Sequence, residues 1–364
     1  MRQEHVRRCP CCMVLVFCMS LTLLGIASIV AAQDAPSGDP GFLPSGSKLE
    51  LLVKGDDHGI VFTEGAAVGC DGKVYFSDIT FTGSPKSKTS HGGLLAGVIW
   101  VYDPETKQTQ VFRSPSGMSN GIKFDAECNM VNAEGADYGG RRIIRTHMQT
   151  GVAEVVTGLY EGQPYNAPND ISVDEKGRIY FSDPRYLGLE PVVQPTMAVY
   201  RIDPDGSVHR MITDAGKPNG VAISPDQKML YVVSNDNGAL DFQRLRENEK
   251  SVKGRMALLA YNLEPDGKAS FSRVLVDYAP EDGPDGLVMD TDGNLWVAVR
   301  NTKRPGIYAY TPDGQEKAYI PTPIPTNVGF GRGEQSNILY ITAANNLYQI
   351  KVGKKGYHLP RARQ

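Results

Sequence analysis

Six residues with oxygen-bearing side chains recur along the chain, each at the start of a short β-branched or aromatic run. They are spaced by about 50 residues, and none is a histidine or a cysteine. The six positions are Glu64, Asn120, Asn169, Asn219, Asp285 and Asn327. Convergent carboxylate and amide oxygens suit a hard divalent cation, so Ca²⁺ is the expected cofactor, with Mg²⁺ or Zn²⁺ as alternatives. Asn and Asp also favour tight turns, but their recurrence at six equivalent positions favours a site.

The runs that follow these positions have the composition of β-strands. Each position opens one strand, which a turn connects to a second strand, as in residues 73–78 (KVYFSD), 178–183 (RIYFSD) and 294–299 (NLWVAV). Hairpins with Asp-Pro or Pro-Asp-Gly turns complete most units, and helical periodicity is nowhere sustained. Four strands in each of six units predict an all-β fold, a six-bladed β-propeller around a central channel. The six oxygen-bearing residues then form a ring in that channel.

Three further segments bear on this architecture. Residues 48–54 (KLELLVK) are expected to add the outer strand of the last blade and so close the ring. A doubly wound α/β fold would need helices between its strands. The only stretch with that potential, residues 241–253, is interpreted as a loop insertion. Residues 79–97 form a long loop rich in Gly, Ser and Lys, which is a candidate lid over the channel mouth.

The N-terminus has the pattern of a signal peptide. Basic residues precede an apolar run, and Val30-Ala31-Ala32 supplies the small residues of a cleavage site before Gln33. An uncleaved membrane anchor is the alternative. We therefore predict a signal peptide at residues 1–32, a flexible segment at 33–46, the propeller at 47–355 and a tail at 356–364. The mature protein is expected to be exported, periplasmic or extracellular, without stable membrane insertion.

Charge and cysteine content narrow the classes of partner. The net charge is −3 and no basic block stands out, which argues against a nucleic-acid partner. Of the 6 cysteines, only Cys70 and Cys128 lie beyond the signal segment. They could pair in an oxidising compartment, but nothing in their positions requires it, so two separate thiols are expected.

Taken in order, the repeat motifs resemble the gluconolactonase family, which includes senescence marker protein (regucalcin) and luciferin-regenerating enzyme. The motifs are EGAAVG, PNDISVDEKGRIYFSD, PNGVAI and GPDGLVMD, and the similarity covers about residues 55–352. The resemblance implies a six-bladed propeller with one divalent cation, usually calcium, in its channel. It also implies hydrolysis of sugar lactones or related esters.

The same resemblance implies a role for individual residues. The family's metal ligands fall on Glu64, Asn169, Asn219 and Asp285. The residues expected to contact the substrate are Asn120, Asn169, Glu134 and Asn327. Gluconolactonases often carry a Glu-His pair in the second blade, but Gly135 follows Glu134 here, so specificity for gluconolactone does not carry over.

A metal-dependent lactonase mechanism assigns these groups as follows. The cation polarises the lactone carbonyl or lowers the pKa of a water. Asp285 is the expected base for that water, with Asp170 second, and the Asn120 and Asn169 amides stabilise the oxyanion. Gly117–Gly121 matches the G-x-S-x-G serine-hydrolase motif, but a strand pattern follows it instead of a helix, so Ser119 is not expected to be a nucleophile. A binding platform with a structural calcium, or an ester or organophosphate hydrolase of the same fold, are the alternatives.

Overall fold

A computed structural model describes residues 35–246 and 251–361 of the chain. The predicted signal peptide therefore lies outside the described residues. Within the described ranges, no helix is long and apolar enough to cross a membrane.

Six four-stranded antiparallel sheets follow one another along the chain, which confirms the predicted six-bladed propeller. Each of the first three blades runs from its innermost to its outermost strand as follows: blade 1, Thr63–Val68, Val74–Asp78, Val98–Asp103 and Gln108–Arg113; blade 2, Ser119–Phe124, Met130–Glu134, Arg142–Thr146 and Ala153–Thr157; blade 3, Ile171–Val173, Ile179–Asp183, Ala198–Ile202 and Val208–Ile212. The remaining blades are blade 4, Pro218–Ile223, Met229–Asn235, Met256–Leu263 and Ala269–Asp277; blade 5, Pro284–Met289, Leu295–Val299, Gly306–Tyr310 and Glu316–Pro321; and blade 6, Pro325–Phe330, Ile338–Ala343, Asn346–Lys351 and Glu50–Val53.

The last blade closes the ring as the sequence predicts. Its outermost strand, Glu50–Val53, comes from the N-terminal side of the propeller and pairs antiparallel with Asn346–Lys351. A separate cluster of buried apolar residues joins every pair of neighbouring blades, including blades 6 and 1. Since burial of apolar surface is the main favourable term in folding, the core lies between the blades and holds the ring shut.

Burial falls from the channel outward along each blade. The innermost strand of blade 1 is buried at every position, whereas the outermost strand Gln108–Arg113 has only exposed and partly buried residues. Sequence composition follows this gradient, because apolar and small residues fill the strands packed on both faces and polar residues occupy the outer ones.

Both ends of the propeller extend further than expected. Ser37–Gly38 lies in the predicted flexible segment but pairs with the edge of blade 5, as a fifth strand. Phe42 and Leu43 are buried against that blade, with the Phe42 ring 6.0 Å from the ring of Trp296. These residues of the predicted flexible segment therefore lie against blade 5, where two apolar side chains are buried. In the predicted tail, Gly356 bridges to Asp290.

The two cysteines of the propeller form a disulfide, which corrects the expectation of separate thiols. Cys70 and Cys128 have their Cα atoms 5.8 Å apart, within the range that a disulfide spans. Each lies in the turn between the first and second strands of its blade, in blades 1 and 2 respectively. Equivalent turns of adjacent blades lie at the same end of the ring, so the repeat itself brings the two sulfurs together.

The loop insertion in blade 4 is confirmed as a loop. It connects Met229–Asn235 to Met256–Leu263 and carries a single short 3₁₀ helix, Phe242–Arg244, in the residues that the structure describes. The other 3₁₀ turns are Gly55–Asp57, Pro85–Ser87 and Gly333–Gln335, and a small hairpin pairs Leu159–Tyr160 with Gln163–Pro164.

Candidate functional site at the channel mouth

Five of the six predicted ring residues line one cavity in the channel. The cavity has a volume of about 260 Å³. The ring residues that line it are Glu64, Asn120, Asn169, Asn219 and Asp285. All five side chains are largely buried, with Glu64 and Asp285 each 4% exposed. The repeat therefore brings together a convergent set of oxygen atoms at the start of five innermost strands.

The geometry of the innermost strands points these side chains into the channel. In blades 1, 2, 4 and 5 the pairing register shifts at the ring residue, for example between Glu64 and Ala67 and between Pro284 and Leu287. Such bulges re-aim a side chain away from the regular alternation of a strand. A glycine follows the ring residue, and a Cβ at Gly65 would lie only 2.0 Å from the Asn120 carbonyl oxygen. Without that side chain, neighbouring blades approach closely and the ring is tight.

Three predicted site residues lie outside the cavity lining. Asn327 is buried, and its Oδ1 accepts a hydrogen bond from the N–H of Val328 at 2.8 Å. The carboxylate of Asp170 accepts hydrogen bonds from the N–H groups of Ile171 at 2.9 Å and Val221 at 3.3 Å. The side-chain oxygens of both residues therefore accept hydrogen bonds from backbone N–H groups of the innermost strands.

Glu134 is the third of these residues. Its Oε2 accepts a hydrogen bond from Nε of Arg142 at 2.7 Å, and its carboxylate lies within the glycine-rich turns of blade 2, next to Gly117 and Gly140. The charge of this carboxylate is therefore paired inside its own blade. The structure gives it no contact with the cavity among the described residues.

The two ring carboxylates of the cavity, Glu64 and Asp285, share an unfavourable environment. Burial raises the pKa of Glu64 well above its ordinary value, and the nearby charge of Asp285 raises it further. Burial also raises the pKa of Asp285, although Arg300 and a hydrogen bond with Asn219 oppose that effect. Two acidic groups in one buried cavity carry excess negative charge, which a cation would stabilise.

The guanidinium of Arg300 supplies one positive charge beside these carboxylates, and the sequence analysis did not identify this residue. Its Nη1 donates to Oδ2 of Asp285 at 2.6 Å, and its guanidinium lies over the Phe62 ring at 5.8 Å from the centroid. Burial disfavours the charge of Arg300, but Asp285 and Glu64 raise its pKa, so it stays protonated. Arg300 directly follows the second strand of blade 5, which returns to the mouth of the channel. A charged residue immediately after such a strand could have been recognised from the sequence as a candidate for the cavity.

The remaining oxygen atoms fit a hard cation. Asn120 Oδ1 is buried and has no hydrogen-bond partner in the described part of the chain, which is costly unless a ligand contacts it. Nowhere in residues 35–246 and 251–361 do three or more His, Cys, Asp or Glu side chains gather in a metal-binding group. The ring instead combines the carboxylates of Glu64 and Asp285 with amide oxygens, a donor set that suits Ca²⁺ or Mg²⁺. The third acidic residue of the lining, Asp282, is paired with Lys253. The absence of His and Cys from the lining argues against zinc.

Apolar side chains from four loops complete the wall of the cavity, and the sequence analysis placed only one of these loops, residues 79–97, at the channel mouth. Phe62, Phe81 and Phe242 form an aromatic wall, with ring centroids 5.0 Å apart for the first pair and 6.0 Å for the second. Ile79 and Leu187 extend it. The loop of residues 79–97, the candidate lid, therefore contributes its first residues to the cavity.

The serine-hydrolase motif does not form a nucleophile elbow. Ser119 begins the innermost strand of blade 2 and is fully buried. Its Oγ accepts hydrogen bonds from Ser77 Oγ at 3.0 Å and from Asn132 Nδ2 at 3.2 Å. This confirms the strand that the sequence predicts and places the hydroxyl within the packing of blades 1 and 2.

Comparison with known proteins identifies relatives of this chain. Residues 95–345 match the profile described as the SMP-30/gluconolactonase/LRE-like region. A gluconolactonase from Zymomonas mobilis is 29% identical over 249 residues, which are 66% of this chain and 64% of that protein. The chain thus spans just under two thirds of the length of this relative.

Solved structures agree with the fold. A gluconolactonase from Xanthomonas campestris superposes with a TM-score of 0.69 at 26% identity, over 88% of this chain and 95% of that one. The calcium-binding protein regucalcin from Agrobacterium tumefaciens has a TM-score of 0.62 at 18% identity, over 87% and 98% of the two chains, and shows the fold alone. The family match covers more than half of the sequence, and the sequence motifs and the six blades agree with it. The chain therefore belongs to the SMP-30/gluconolactonase/LRE-like family.

Proposed function

We propose that this protein hydrolyses small lactones in the channel cavity, in a reaction that depends on a divalent cation. The observation that carries the proposal is the buried pair Glu64 and Asp285, surrounded by amide side chains and by the unpartnered Oδ1 of Asn120. Membership of a family with gluconolactonases among its relatives supports the reaction class.

Four residues of the ring would hold the cation. Glu64 and Asp285 offer charge, and the amide oxygens of Asn169 and Asn219 complete the set, as the resemblance implies. Ca²⁺ is the proposed ion, because all these donors are hard oxygens. When bound, it would supply Lewis-acid polarisation of the lactone carbonyl and lower the pKa of a water molecule.

The protein's own groups account for the proton transfers. Asp285 accepts a proton from the attacking water, whose oxygen forms a bond to the carbonyl carbon. The Asn120 amide donates a hydrogen bond to the negative oxygen that develops. The bond between that carbon and the ring oxygen then breaks, and the ring oxygen takes the proton back to leave a hydroxy acid. Arg300, at 2.6 Å from Asp285, favours the ionised form that a base requires.

Asp170 is the weaker candidate for the base. Its carboxylate is fully buried and already accepts two backbone hydrogen bonds. A base must reach the proton that it removes, and Asp170 does not line the cavity. We therefore propose that Asp170 orients the inner strands, and that the base is Asp285.

A hydrolysis assay tests the proposal. The purified protein is incubated with a panel of aldonolactones, alkyl lactones, aryl esters and phosphotriesters, and acid release is followed in a pH-stat. We expect hydrolysis of lactones that chelator abolishes and Ca²⁺ restores. Cation binding without hydrolysis of any lactone would contradict the proposal and favour a binding platform, while faster turnover of phosphotriesters would favour the organophosphate alternative.

We also propose that the mature protein is exported to the periplasm or the extracellular space. The support is the signal-peptide pattern of residues 1–32 together with the disulfide between Cys70 and Cys128, since disulfides persist in oxidising compartments. N-terminal sequencing of the protein from its native host is expected to begin at Gln33. An intact N-terminus in a membrane fraction would instead indicate the anchored form.

A further inference from the structure

The wall of the channel cavity divides into a polar part and an apolar part. The aromatic wall with Ile79 and Leu187 forms the apolar part. The polar part comprises the ring residues and Arg300, together with Tyr186, Asn235, Asn237 and Asp282. Each aromatic side chain comes from a different loop: Phe62 precedes the innermost strand of blade 1, Phe81 follows its second strand, and Phe242 lies in the insertion of blade 4. Three separate segments therefore converge to build one apolar surface.

The insertion is fixed at this place by hydrogen bonds. The backbone N–H of Phe242 donates to the carbonyl oxygen of Tyr186 at 3.0 Å. Two residues further on, Nη2 of Arg244 donates to Oγ1 of Thr82 at 2.8 Å and lies 3.4 Å from Oδ1 of Asp137. These contacts connect the insertion to the loops of blades 1, 2 and 3. The Phe242 ring is held beside Phe81 although it is 40% exposed.

Other polar groups of the wall are already engaged by the protein. The Tyr186 hydroxyl donates to the carbonyl oxygen of Asn235 at 2.8 Å, and Asn235 Nδ2 donates to the carbonyl oxygen of Pro284 at 2.7 Å. Asn237 Oδ1 accepts hydrogen bonds from Lys217 Nζ at 2.8 Å and from the N–H of Ala239 at 3.1 Å. Asp282 forms an ion pair with Lys253. These four side chains, which line the cavity beyond the ring and Arg300, therefore already make hydrogen bonds or ion pairs within the protein.

A sugar lactone matches this cavity poorly. It carries hydroxyl groups on most of its carbons, and each hydroxyl that leaves water without a partner costs free energy. A site built for such a substrate supplies a hydrogen-bonding group for each hydroxyl. Here the polar side chains beyond the ring and Arg300 already have partners within the protein, and the remaining lining residues are aromatic or aliphatic.

We propose that the preferred substrates are lactones with an apolar substituent on the ring, which packs against Phe62, Phe81 and Phe242. This inference rests on the proposed lactonase function and specifies its substrate class. The lactone group enters the polar ring, and an alkyl or aryl chain lies along the aromatic wall. Each methylene that leaves water there favours binding by about fourfold.

The test compares matched lactones of one ring size. The substrates are δ-valerolactone, its derivatives with propyl and pentyl chains on the carbon bonded to the ring oxygen, and δ-gluconolactone. We expect kcat/KM to rise about fourfold per methylene along the alkyl series, and to be lower for δ-gluconolactone than for the pentyl lactone. In Phe242→Ala, the ratio of kcat/KM for the pentyl lactone to that for δ-valerolactone is expected to fall about tenfold, since one of the three rings that cover the chain is lost. Phe271→Ala is the control, because Phe271 is an exposed ring on the outermost strand of blade 4; it should leave that ratio unchanged.

Two results would overturn the inference while the proposed function stands. One is a higher kcat/KM for δ-gluconolactone than for the pentyl lactone, and the other is an equal loss for all lactones in Phe242→Ala. If the wild-type protein opens no lactone, the proposed function is wrong. The preference of the cavity for apolar substituents is then tested by ligand binding alone. Calorimetry with the corresponding alkyl δ-lactams, which resist hydrolysis, should then show affinity that rises with chain length in the wild type but much less in Phe242→Ala. Affinity independent of chain length would refute the apolar preference.

Discussion

At the scale of single residues, Asp285 has two tasks that depend on its charge. It is a proposed ligand of the cation and the proposed base, and it is almost fully buried beside Arg300. Asp285→Asn keeps the size of the side chain but removes the charge. We expect kcat/KM on lactones to fall about 100- to 10,000-fold, the usual contribution of a general base.

The fold should survive this substitution, which separates catalysis from stability. Asp292→Asn is the matched control, because Asp292 lies in an exposed turn of the same blade and pairs with Lys354. Circular dichroism and thermal unfolding check the fold of both variants. Near-normal turnover in folded Asp285→Asn would exclude Asp285 as the base.

Arg300 and a bound cation compete for the same carboxylate, which makes a second prediction possible. Removing the guanidinium in Arg300→Gln eliminates a positive charge that faces Asp285 at 2.6 Å. We expect Ca²⁺ to bind at least tenfold more tightly to this variant, as measured by calorimetry. One unit charge a few Å away repels a divalent ion by several kcal/mol at an effective dielectric constant of about 20, and a factor of ten needs only about 1.4 kcal/mol.

The same substitution should shift the pH dependence of turnover. Arg300 opposes the burial that raises the pKa of Asp285, so its loss raises that pKa further. Asp285 must be ionised to act as a base, and the acidic limb of the kcat/KM profile is therefore expected to move to higher pH. Arg300→Lys, which keeps the charge, should move it less. A profile that is unchanged in Arg300→Gln would contradict this role.

Residue-scale prediction from the sequence worked where the repeat applied. Glu64 and Asp285 were found because each occupies the same place in its unit, and equivalent places meet in the channel. Asn327 obeys the same rule, yet its amide is used to bond Val328. Arg300 and Phe242 escaped notice, because each has no equivalent in the other units and only the folded loops bring them to the cavity.

At the scale of elements, strand patterns and turn residues were enough to identify four strands per blade. The pattern did not indicate the register shifts at the starts of the innermost strands, which depend on pairing between strands. It also gave no reason to expect order in Ser37–Gly38, a strand of two residues that exists only because blade 5 offers an edge. Such short elements are stabilised by tertiary contacts and have little signal of their own.

The disulfide is an element-scale constraint with a measurable effect. It links the first turns of blades 1 and 2 across a sequence separation of 58 residues. In the loop-entropy description, a cross-link of this length stabilises the folded state by about 4 kcal/mol. The double variant Cys70→Ser/Cys128→Ser is therefore expected to unfold at lower denaturant concentration, by up to that free energy. Lactone turnover under native conditions should remain, since neither cysteine lines the cavity. An unchanged midpoint in urea would show that the link adds nothing to stability.

At the scale of the whole molecule, the fold and the site depend on the same closure. Glu50–Val53 joins the two ends of the propeller in blade 6, and the six apolar clusters between blades make the ring continuous. Only a closed ring brings side chains from blades 1 and 5, Glu64 and Asp285, into one cavity. Burial of apolar surface between the blades therefore offsets the free energy that is lost when these two carboxylates are buried together. The sequence composition predicts that such apolar interfaces exist, but it does not predict their individual contacts.

A cation that binds the closed ring should stabilise the whole propeller. The unfolded chain does not hold Glu64 and Asp285 together, so binding is linked to folding, and Ca²⁺ at 100 times its dissociation constant contributes about 2.7 kcal/mol. For a domain of this size, that corresponds to a rise in the unfolding temperature of roughly 4 °C, measured by calorimetry against a sample in chelator. Asp285→Asn should lose most of the rise, and Asp292→Asn should keep it. If Ca²⁺ raised the unfolding temperature of Asp285→Asn by the same amount, the cation would bind elsewhere on the protein. The buried carboxylates of the ring would then have to be stabilised by something other than a cation.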